Sequence, residues 1–223
     1  MSRFITKTGL VLSLVGGFAA LTISACLLRM LIGPLVTARL DAPIIEYAAA
    51  HRIAGLTSVM KALTTAGNPL YLSITVLIGG AILAWMTRSW KPLVVLAFVM
   101  FGAVSLDHLI KLAVARTRPA SLYWAVSATG SSFPSGHATE SAAVYLTLAC
   151  MVAGTQAKLV VRTVTYAIGI AAPLLIGMSR VYLGVHWPTD VISGWALGCA
   201  WSAMVLASSA SVQSRRLKSE SSR

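Results

Sequence analysis

The feature that most constrains this chain is a series of long apolar runs with little polar sequence between them. Sustained hydrophobicity falls in six windows, at 8–31, 69–87, 92–114, 136–154, 161–183 and 189–209. Each window is close to the roughly 20 residues that a helix needs to cross a hydrocarbon core about 30 Å thick. Charged residues make up 11% of the chain, against roughly 25% in an average soluble domain. The sequence therefore predicts an all-α integral membrane bundle of six transmembrane helices rather than a soluble globular fold.

A mixed stretch between the first two apolar runs has a different pattern. From His51 to Leu63, the apolar residues recur at helical spacing, and these are Ile53, Leu56, Val59, Met60 and Leu63. A short amphipathic helix lying along the membrane interface is expected here. Neither an internal repeat nor a linker is found. We therefore expect residues 1–210 to form one membrane domain and residues 211–223 to form a basic, disordered cytoplasmic tail.

The chain is strongly basic, with 18 Lys and Arg against 6 Asp and Glu, which gives a net charge of +12. Such a positive charge is compatible with binding to nucleic acid, binding to anionic lipid headgroups or orienting the chain in the membrane. The basic residues lie near the ends of apolar runs, and no soluble basic domain is left over. We therefore favour membrane orientation together with an anionic substrate, and we expect membrane lipids as partners, with no nucleic acid and no obligate protein partner.

The positive charges also predict how the chain crosses the membrane. Ten Lys and Arg lie in the two termini and in the loops after the second and fourth spans, whereas eight lie on the other side. Three of those eight, Lys111, Arg118 and Arg180, belong to the motifs described below, which leaves ten against five. Because cytoplasmic loops are enriched in Lys and Arg, both termini are expected to be cytoplasmic. The expected location is a bacterial cytoplasmic (inner) membrane, with the active site facing the periplasm or cell exterior.

Ionisable residues are costly at membrane depth, so their presence near the ends of spans marks a candidate functional site. Three such groups occur, after the third span, at the start of the fourth, and around the turn from the fifth to the sixth. The groups are Lys111, Arg116 and Arg118; Ser135, Gly136 and His137; and Arg180, His186 and Asp190. Alternating topology places all three groups on the outer side of the membrane.

These residue types suit a phosphoryl group, which is doubly negative near neutral pH and spreads charge over its equatorial oxygens in the transition state. Arg118 and Arg180 can clasp those oxygens with planar guanidinium forks, and Lys111 supplies a compact third charge. Ser135 adds a hydroxyl donor, while Gly136 lets the backbone approach closely at the positive end of a helix dipole. Three fixed cations are enough to bind the group without a metal or another cofactor.

The same residues resemble a known family. The matching pattern is Lys111, six residues, Arg118 and Pro119; then Pro134, Ser135, Gly136 and His137; then Ser179, Arg180, five residues, His186, three residues and Asp190. In this order, it resembles the three signature motifs of the type 2 phosphatidic acid phosphatase superfamily. The resemblance implies a membrane phosphatase that works through a phosphohistidine intermediate. It assigns His186 as the nucleophile and His137 as the acid that protonates the departing lipid oxygen.

Asp190 lies four residues after His186, so its carboxylate can accept a proton from the far ring nitrogen and stabilise the imidazolium. For a substrate, the family implies a lipid phosphate or diphosphate, with undecaprenyl diphosphate or phosphatidylglycerol phosphate expected first. The alternative is a lipid A phosphatase or a lipid phosphotransferase on the same scaffold, since an alcohol can replace water in the second step. A lipid or anion transporter is a hypothesis of another class, because a basic cluster can line a pathway.

Three nearby residues keep more than one interpretation. Asp107 lies one helical turn before Lys111, where it either has a structural role or tunes that lysine. Arg116 lies outside the motif positions and suits either a substrate headgroup contact or an interface anchor. Glu140 is expected in the first turn of the fourth span, where a carboxylate offsets the helix dipole. The sequence leaves open whether any of the three contacts substrate.

Overall fold

The computed structural model describes residue 33 and residues 35–220. Seven α-helices follow one another in that part of the chain: α1 Ala42–Ala50, α2 Ala54–Ala66, α3 Pro69–Thr87, α4 Lys91–Val114, α5 Gly136–Thr155, α6 Leu159–Tyr182 and α7 Pro188–Glu220. A π-helical turn at Thr37–Asp41 precedes α1, and a 3-10 turn at Ser121–Tyr123 lies between α4 and α5. These described residues form no strand, so the prediction of an all-α fold is confirmed.

Four of these helices are long and apolar enough to cross a membrane, namely α3, α4, α6 and the part of α7 up to Ser209. Their ends agree to within about two residues with four of the windows predicted from hydrophobicity. The window at 136–154 forms α5, which is a helix of 20 residues but falls outside this set. The window at 8–31 lies outside the described residues. The structure therefore supports a membrane bundle without fixing the number of spans at six.

The outer faces of these helices are apolar. Only 17–33% of each candidate membrane-spanning window is buried inside the protein, and the outward-facing side chains include Leu77, Ile78, Phe98, Phe101 and Ile168. A soluble protein would not leave so much contiguous apolar surface in water. In a bilayer the same surface faces hydrocarbon, while the helical hydrogen bonds satisfy the backbone.

The most buried helix is α5, which packs against α3, α4, α6 and α7. Half of its 20 residues are buried, and many of them are Ala, Ser or Thr. Small residues let helices in a membrane bundle approach closely, so this composition suits a central helix. The N-terminal end of α5 carries Ser135, Gly136 and His137, so the bundle positions these residues through its best-packed element.

A face of small residues on α7 packs against α5. A Cβ atom on Gly194 would lie 2.8 Å from the backbone oxygen of Ser135, and one on Gly198 would collide with the backbone oxygen of Thr139. Farther along the interface, the hydroxyls of Ser202 and Thr147 are 2.8 Å apart. This small-residue face therefore packs within the bundle, and the close approach holds the start of α7 beside the start of α5.

The predicted amphipathic segment forms α2, which packs against α6. Arg52, which lies two residues before this helix, donates from Nε to the backbone oxygen of Tyr182 at 3.0 Å. Its Nη2 donates to the backbone oxygen of Tyr123 at 2.5 Å. These contacts anchor the N-terminal end of α2 to the last residue of α6 and to the 3-10 turn. The placement of α2 at the membrane interface remains a prediction. The division into residues 1–210 and a tail at 211–223 also remains a prediction, and α7 continues as a helix past residue 211 to Glu220.

Candidate active site

Three chain segments meet at one end of the bundle. Ser132 N, shortly before α5, donates to the backbone oxygen of Arg116, in the loop after α4, at 2.8 Å. The start of α5 is joined to the start of α7 by a 3.0 Å bond from Ser135 N to the backbone oxygen of Asp190. The turn between α6 and α7 passes through Gly184, whose φ of +76° is in the left-handed region that favours glycine. The three groups of candidate residues are thus brought together.

His186 lies in that turn and is almost completely buried, with 2% exposure. Its Nδ1 is 2.8 Å from the backbone oxygen of Ser132. Because a carbonyl oxygen only accepts hydrogen bonds, Nδ1 must carry the proton, and Nε2 therefore holds the free lone pair. Burial lowers the pKa of His186 well below 6.5, and the positive charges of Arg118, Arg180 and Lys111 lower it further. The ring is therefore neutral near pH 7 and has an unprotonated Nε2.

Arg118 holds both the ring and the loops around it. Its Nη1 lies 3.0 Å from His186 Nε2 and donates to the backbone oxygen of Val185 at 2.7 Å. Its Nε and Nη2 donate to the backbone oxygens of Gly130 and Thr129, at 3.0 and 2.8 Å. Burial lowers the pKa of Arg118, an effect opposed by the negative charges of Asp190 and Asp107. The guanidinium stays protonated because its ordinary pKa is far above 7.

Two of the candidate phosphate-binding residues have buried polar atoms without a partner. Among the described residues, three buried side-chain atoms lack a hydrogen bond: Ser135 Oγ, Arg180 Nε and Glu140 Oε2. Ser135 is the N-cap residue of α5, yet its hydroxyl makes no capping bond. Arg180 lies in the last turn of α6 and donates from Nη1 to Thr64 Oγ1 at 2.6 Å. An unsatisfied buried donor costs about 1–3 kcal/mol, so these atoms are suited to binding an anionic ligand.

Lys111 and Gly136 lie beside each other at the ends of α4 and α5. The Nζ atom of Lys111 is 2.6 and 2.5 Å from the two carboxylate oxygens of Asp107. A Cβ atom on Gly136 would lie 3.1 Å from Asp107 Oδ2 and 3.3 Å from Lys111 Nζ. Glycine at this position therefore lets the first turn of α5 approach the ion pair closely.

His137 lies in the first turn of α5 and packs against the end of α2. A Cβ atom on Gly67 would be 3.1 Å from His137 Cδ2, so glycine leaves room for the imidazole. Thr64, which binds Arg180, lies three residues earlier on the same segment. The amphipathic helix thus forms one wall of the site. Neither Thr64 nor Gly67 was identified from the sequence, because the hydrophobic pattern alone does not show which end of α2 faces the site.

The contact between Asp190 and His186 is looser than the sequence suggested. Asp190 Oδ2 lies 3.6 Å from His186 Nδ1, which is beyond hydrogen-bond range, and the backbone oxygen of Ser132 is the nearer acceptor at 2.8 Å. The same Oδ2 accepts a 3.0 Å bond from Trp187 N. Asp190 therefore acts on the ring as a nearby charge, while the Ser132 carbonyl fixes the tautomer. Ser132 was not identified from the sequence, because its contact with His186 uses a backbone carbonyl, which every residue has.

The structure corrects two interpretations of neighbouring residues. Arg116 has a side chain only 5% exposed and is ion-paired with both Asp41 and Asp190, so it is neither a headgroup contact nor an interface anchor. Glu140 is the fifth residue of α5, beyond the first turn, and it does not cap the helix. Its carboxyl is buried because the helices packed around α5 enclose this turn. Asp107 pairs with Lys111, as its spacing suggested.

Comparison with known proteins shows the family to which the chain belongs. The PAP2 superfamily matches residues 92–213, which include all the motif residues. The chain is 34% identical over 145 residues to phosphatidylglycerophosphatase B of Bacillus subtilis, covering 64% of this chain and 70% of that protein. It is 33% identical over 156 residues to undecaprenyl-diphosphatase of Sulfolobus acidocaldarius, covering 66% and 68%.

A solved structure extends the similarity beyond the motifs. The crystal structure of a transmembrane PAP2-type phosphatidylglycerolphosphate phosphatase from Bacillus subtilis aligns with a TM-score of 0.74 at 29% identity. The alignment covers 87% of this chain and 93% of that one. The family match spans more than half of the sequence, and the two relatives are each covered over more than two thirds of their length. The chain therefore belongs to the PAP2 superfamily.

Proposed function

We propose that this protein is a membrane lipid phosphatase that removes phosphate from a lipid phosphate or diphosphate through a phosphohistidine on His186. The proposal rests on the tautomer and orientation of the His186 ring. Its Nδ1 is held by the Ser132 carbonyl, and its Nε2 lone pair faces Arg118. A neutral imidazole beside fixed cations is suited to attack an anionic phosphorus centre. The names of the related proteins, all phosphatases, support the same reaction class.

In the first step, His186 Nε2 attacks phosphorus, and the N–P bond forms as the bond from phosphorus to the lipid oxygen breaks. Incoming phosphoryl oxygens replace the ring as a partner of Arg118, and they also bind Arg180 Nε and the Ser135 hydroxyl. Lys111 adds a third positive charge at the start of α5. His137, protonated when the anionic substrate binds beside it, gives that proton to the departing oxygen. These groups offset the charge that develops on the oxygens as the phosphoryl group is transferred.

In the second step, water attacks the phosphohistidine and releases inorganic phosphate. The oxygen atom of the water bonds to phosphorus as the N–P bond breaks, and His137, now neutral, takes the proton of the water. His186 carries positive charge while it holds the phosphoryl group. The carboxylate of Asp190, 3.6 Å from Nδ1, stabilises that charge. The cycle returns both histidines to their starting protonation states.

The substrate is expected to be undecaprenyl diphosphate or phosphatidylglycerol phosphate, because these compounds match the names of the two relatives. The test is phosphate release by the purified protein in detergent, from a panel that also contains lipid A 1-phosphate and water-soluble phosphate esters. Transfer of phosphate to an added alcohol is measured in parallel. Turnover of no member of the panel, together with lipid or anion movement in proteoliposomes, would favour a transporter instead.

Activity is expected to persist in excess EDTA. Among the described residues, no group of three or more His, Cys, Asp or Glu side chains is arranged to hold a metal ion, and the phosphoryl charge is met by Lys111, Arg118 and Arg180. Phosphate release is measured before and after chelation, and again after Mg²⁺ is added. Loss of activity in EDTA that Mg²⁺ restores would show that the phosphate site has been assigned wrongly.

The active site is expected to open to the outside of the cell, with both termini in the cytoplasm. The test uses a chain in which all three native cysteines are replaced by serine. A single cysteine at Ala120, in the exposed loop after α4, should react with an impermeant thiol reagent in intact cells. One at Gln156, between α5 and α6, should react only after permeabilisation. The reverse labelling would place the active site in the cytoplasm.

A further inference from the structure

We propose that Asp41 is a positioning residue for His186, acting through Arg116 and Asp190. Asp41 Oδ2 accepts a 2.6 Å bond from Arg116 Nη2, and Arg116 Nη1 is paired with Asp190 Oδ1. The other oxygen of Asp190 lies 3.6 Å from His186 Nδ1. Asp41 and Asp190 are completely buried, and the Arg116 side chain is 5% exposed. The inference rests on the proposed function, in which His186 is the nucleophile.

Asp41 also fixes the first turn of α7. Its Oδ1 accepts a 3.0 Å bond from Thr189 N, and its Oδ2 accepts a 2.7 Å bond from the Thr189 hydroxyl. Thr189 is the second residue of α7, where a backbone N–H has no partner within the helix. A carboxylate from a distant part of the chain therefore supplies the helix cap. Because Asp190 is the next residue, Asp41 controls where that carboxylate lies relative to His186.

The charges of the three residues suggest how Asp41 affects the reaction. Arg116 is shared between two carboxylates, so the buried group of Asp41, Arg116 and Asp190 carries one net negative charge. That charge is balanced when His186 becomes positive on phosphorylation. If Asp41 lost its charge, Arg116 and Asp190 would form a neutral pair. Asp190 would then stabilise the phosphorylated imidazolium less well.

Arg116 is well suited to join the two carboxylates. Its planar guanidinium directs Nη1 and Nη2 to different acceptors, and each of them also binds a threonine hydroxyl, that of Thr189 at 2.9 Å and that of Thr37 at 2.7 Å. The Trp187 ring lies 5.3 Å from the guanidinium carbon. A lysine could not reach both carboxylates with the same geometry, since its ammonium is a single point of charge.

The test compares Asp41→Asn with Glu46→Gln, which removes the same charge from an exposed carboxylate in α1. Asp41→Asn should lower kcat about 10- to 100-fold, by analogy with the outer-shell residues that orient metal-ligating histidines, and should leave KM nearly unchanged. Glu46→Gln should match the parent protein. Asp41→Glu should recover part of the loss, because it restores the charge. Full kcat in folded Asp41→Asn protein would overturn the proposal.

A double-mutant cycle keeps the test decisive if Asp41→Asn is also less stable. Arg116→Lys should lower kcat by a similar factor, because the lysine can hold only one of the two carboxylates. Adding Asp41→Asn to that variant should then cost much less than it does alone. Independent effects that simply multiply would show that Asp41 does not act through Arg116.

A spectroscopic measurement separates failure of this proposal from failure of the proposed function. The chain has 4 histidines, so ¹⁵N-histidine spectra in detergent contain few signals, and His186→Ala assigns the one of interest. Asp41→Asn should shift the Nδ1 signal of His186, whereas Glu46→Gln should leave it in place. An unshifted signal would overturn the positioning role even if the protein turns over substrate. A shifted signal without any phosphate release from the parent protein would support positioning and reject the phosphatase.

Discussion

His186→Ala is expected to abolish both turnover and the covalent phosphoenzyme, whatever the leaving group. The variant removes Nε2, the atom to which the phosphoryl group is transferred in the proposed reaction. His137→Ala should behave differently. It removes protonation of the leaving group, a contribution of roughly 10²- to 10⁴-fold. A substrate whose leaving group needs no proton, such as p-nitrophenyl phosphate, should therefore recover much of the first step.

Phosphoenzyme should accumulate in His137→Ala, because hydrolysis of the intermediate also needs a base. The enzyme is mixed with ³²P-labelled substrate, quenched, and tested for bound phosphate that is labile in acid and stable in base. His108→Ala serves as the matched control, since this histidine lies on the exposed face of α4. It should keep normal turnover. Labelled phosphate on His186→Ala, with none on His137→Ala, would reverse the assignment of the two histidines.

Replacing Arg180 is expected to produce the second large loss of activity. Arg180→Lys keeps a positive charge but removes the Nε donor, which has no partner in the described structure. Loss of one such preorganised donor costs about 10²- to 10³-fold in kcat. Arg180→Met removes the charge as well, and the loss should approach the 10³- to 10⁵-fold range known for arginines that stabilise phosphoryl transfer.

The matched control is Arg162→Met, which makes the same substitution in the exposed first turn of α6. Thr64→Val provides a finer test, because it removes the 2.6 Å contact of Arg180 Nη1 and leaves the guanidinium in place. It should reduce activity much less than Arg180→Lys does. Initial rates over a range of substrate concentrations distinguish kcat from KM in each variant. Near-normal kcat/KM in folded Arg180→Met would exclude Arg180 from the phosphate site.

The apolar windows predicted α3, α4, α6 and α7 closely, because the thickness of a bilayer sets both the length and the composition of a helix that crosses it. The candidate site was also visible in the sequence. Its histidines, arginines and lysine are rare, costly residue types at the ends of such helices, so their positions stand out from the apolar background. Residue type and spacing selected Lys111, Arg118, His137, Arg180 and His186 as candidates, and their roles remain predictions.

Only the tertiary structure showed what holds these residues in place. The Ser132 carbonyl that orients His186 is a main-chain atom, and every residue has one. Thr64 and Arg180 are 116 positions apart in sequence, and Asp41 and Arg116 are 75 apart, so only helix packing brings them together. In the sequence, Asp41 is one of 6 acidic residues and lies in none of the three motifs. Its burial against α7 depends on the path of the whole chain, which neither local hydrophobicity nor motif spacing encodes.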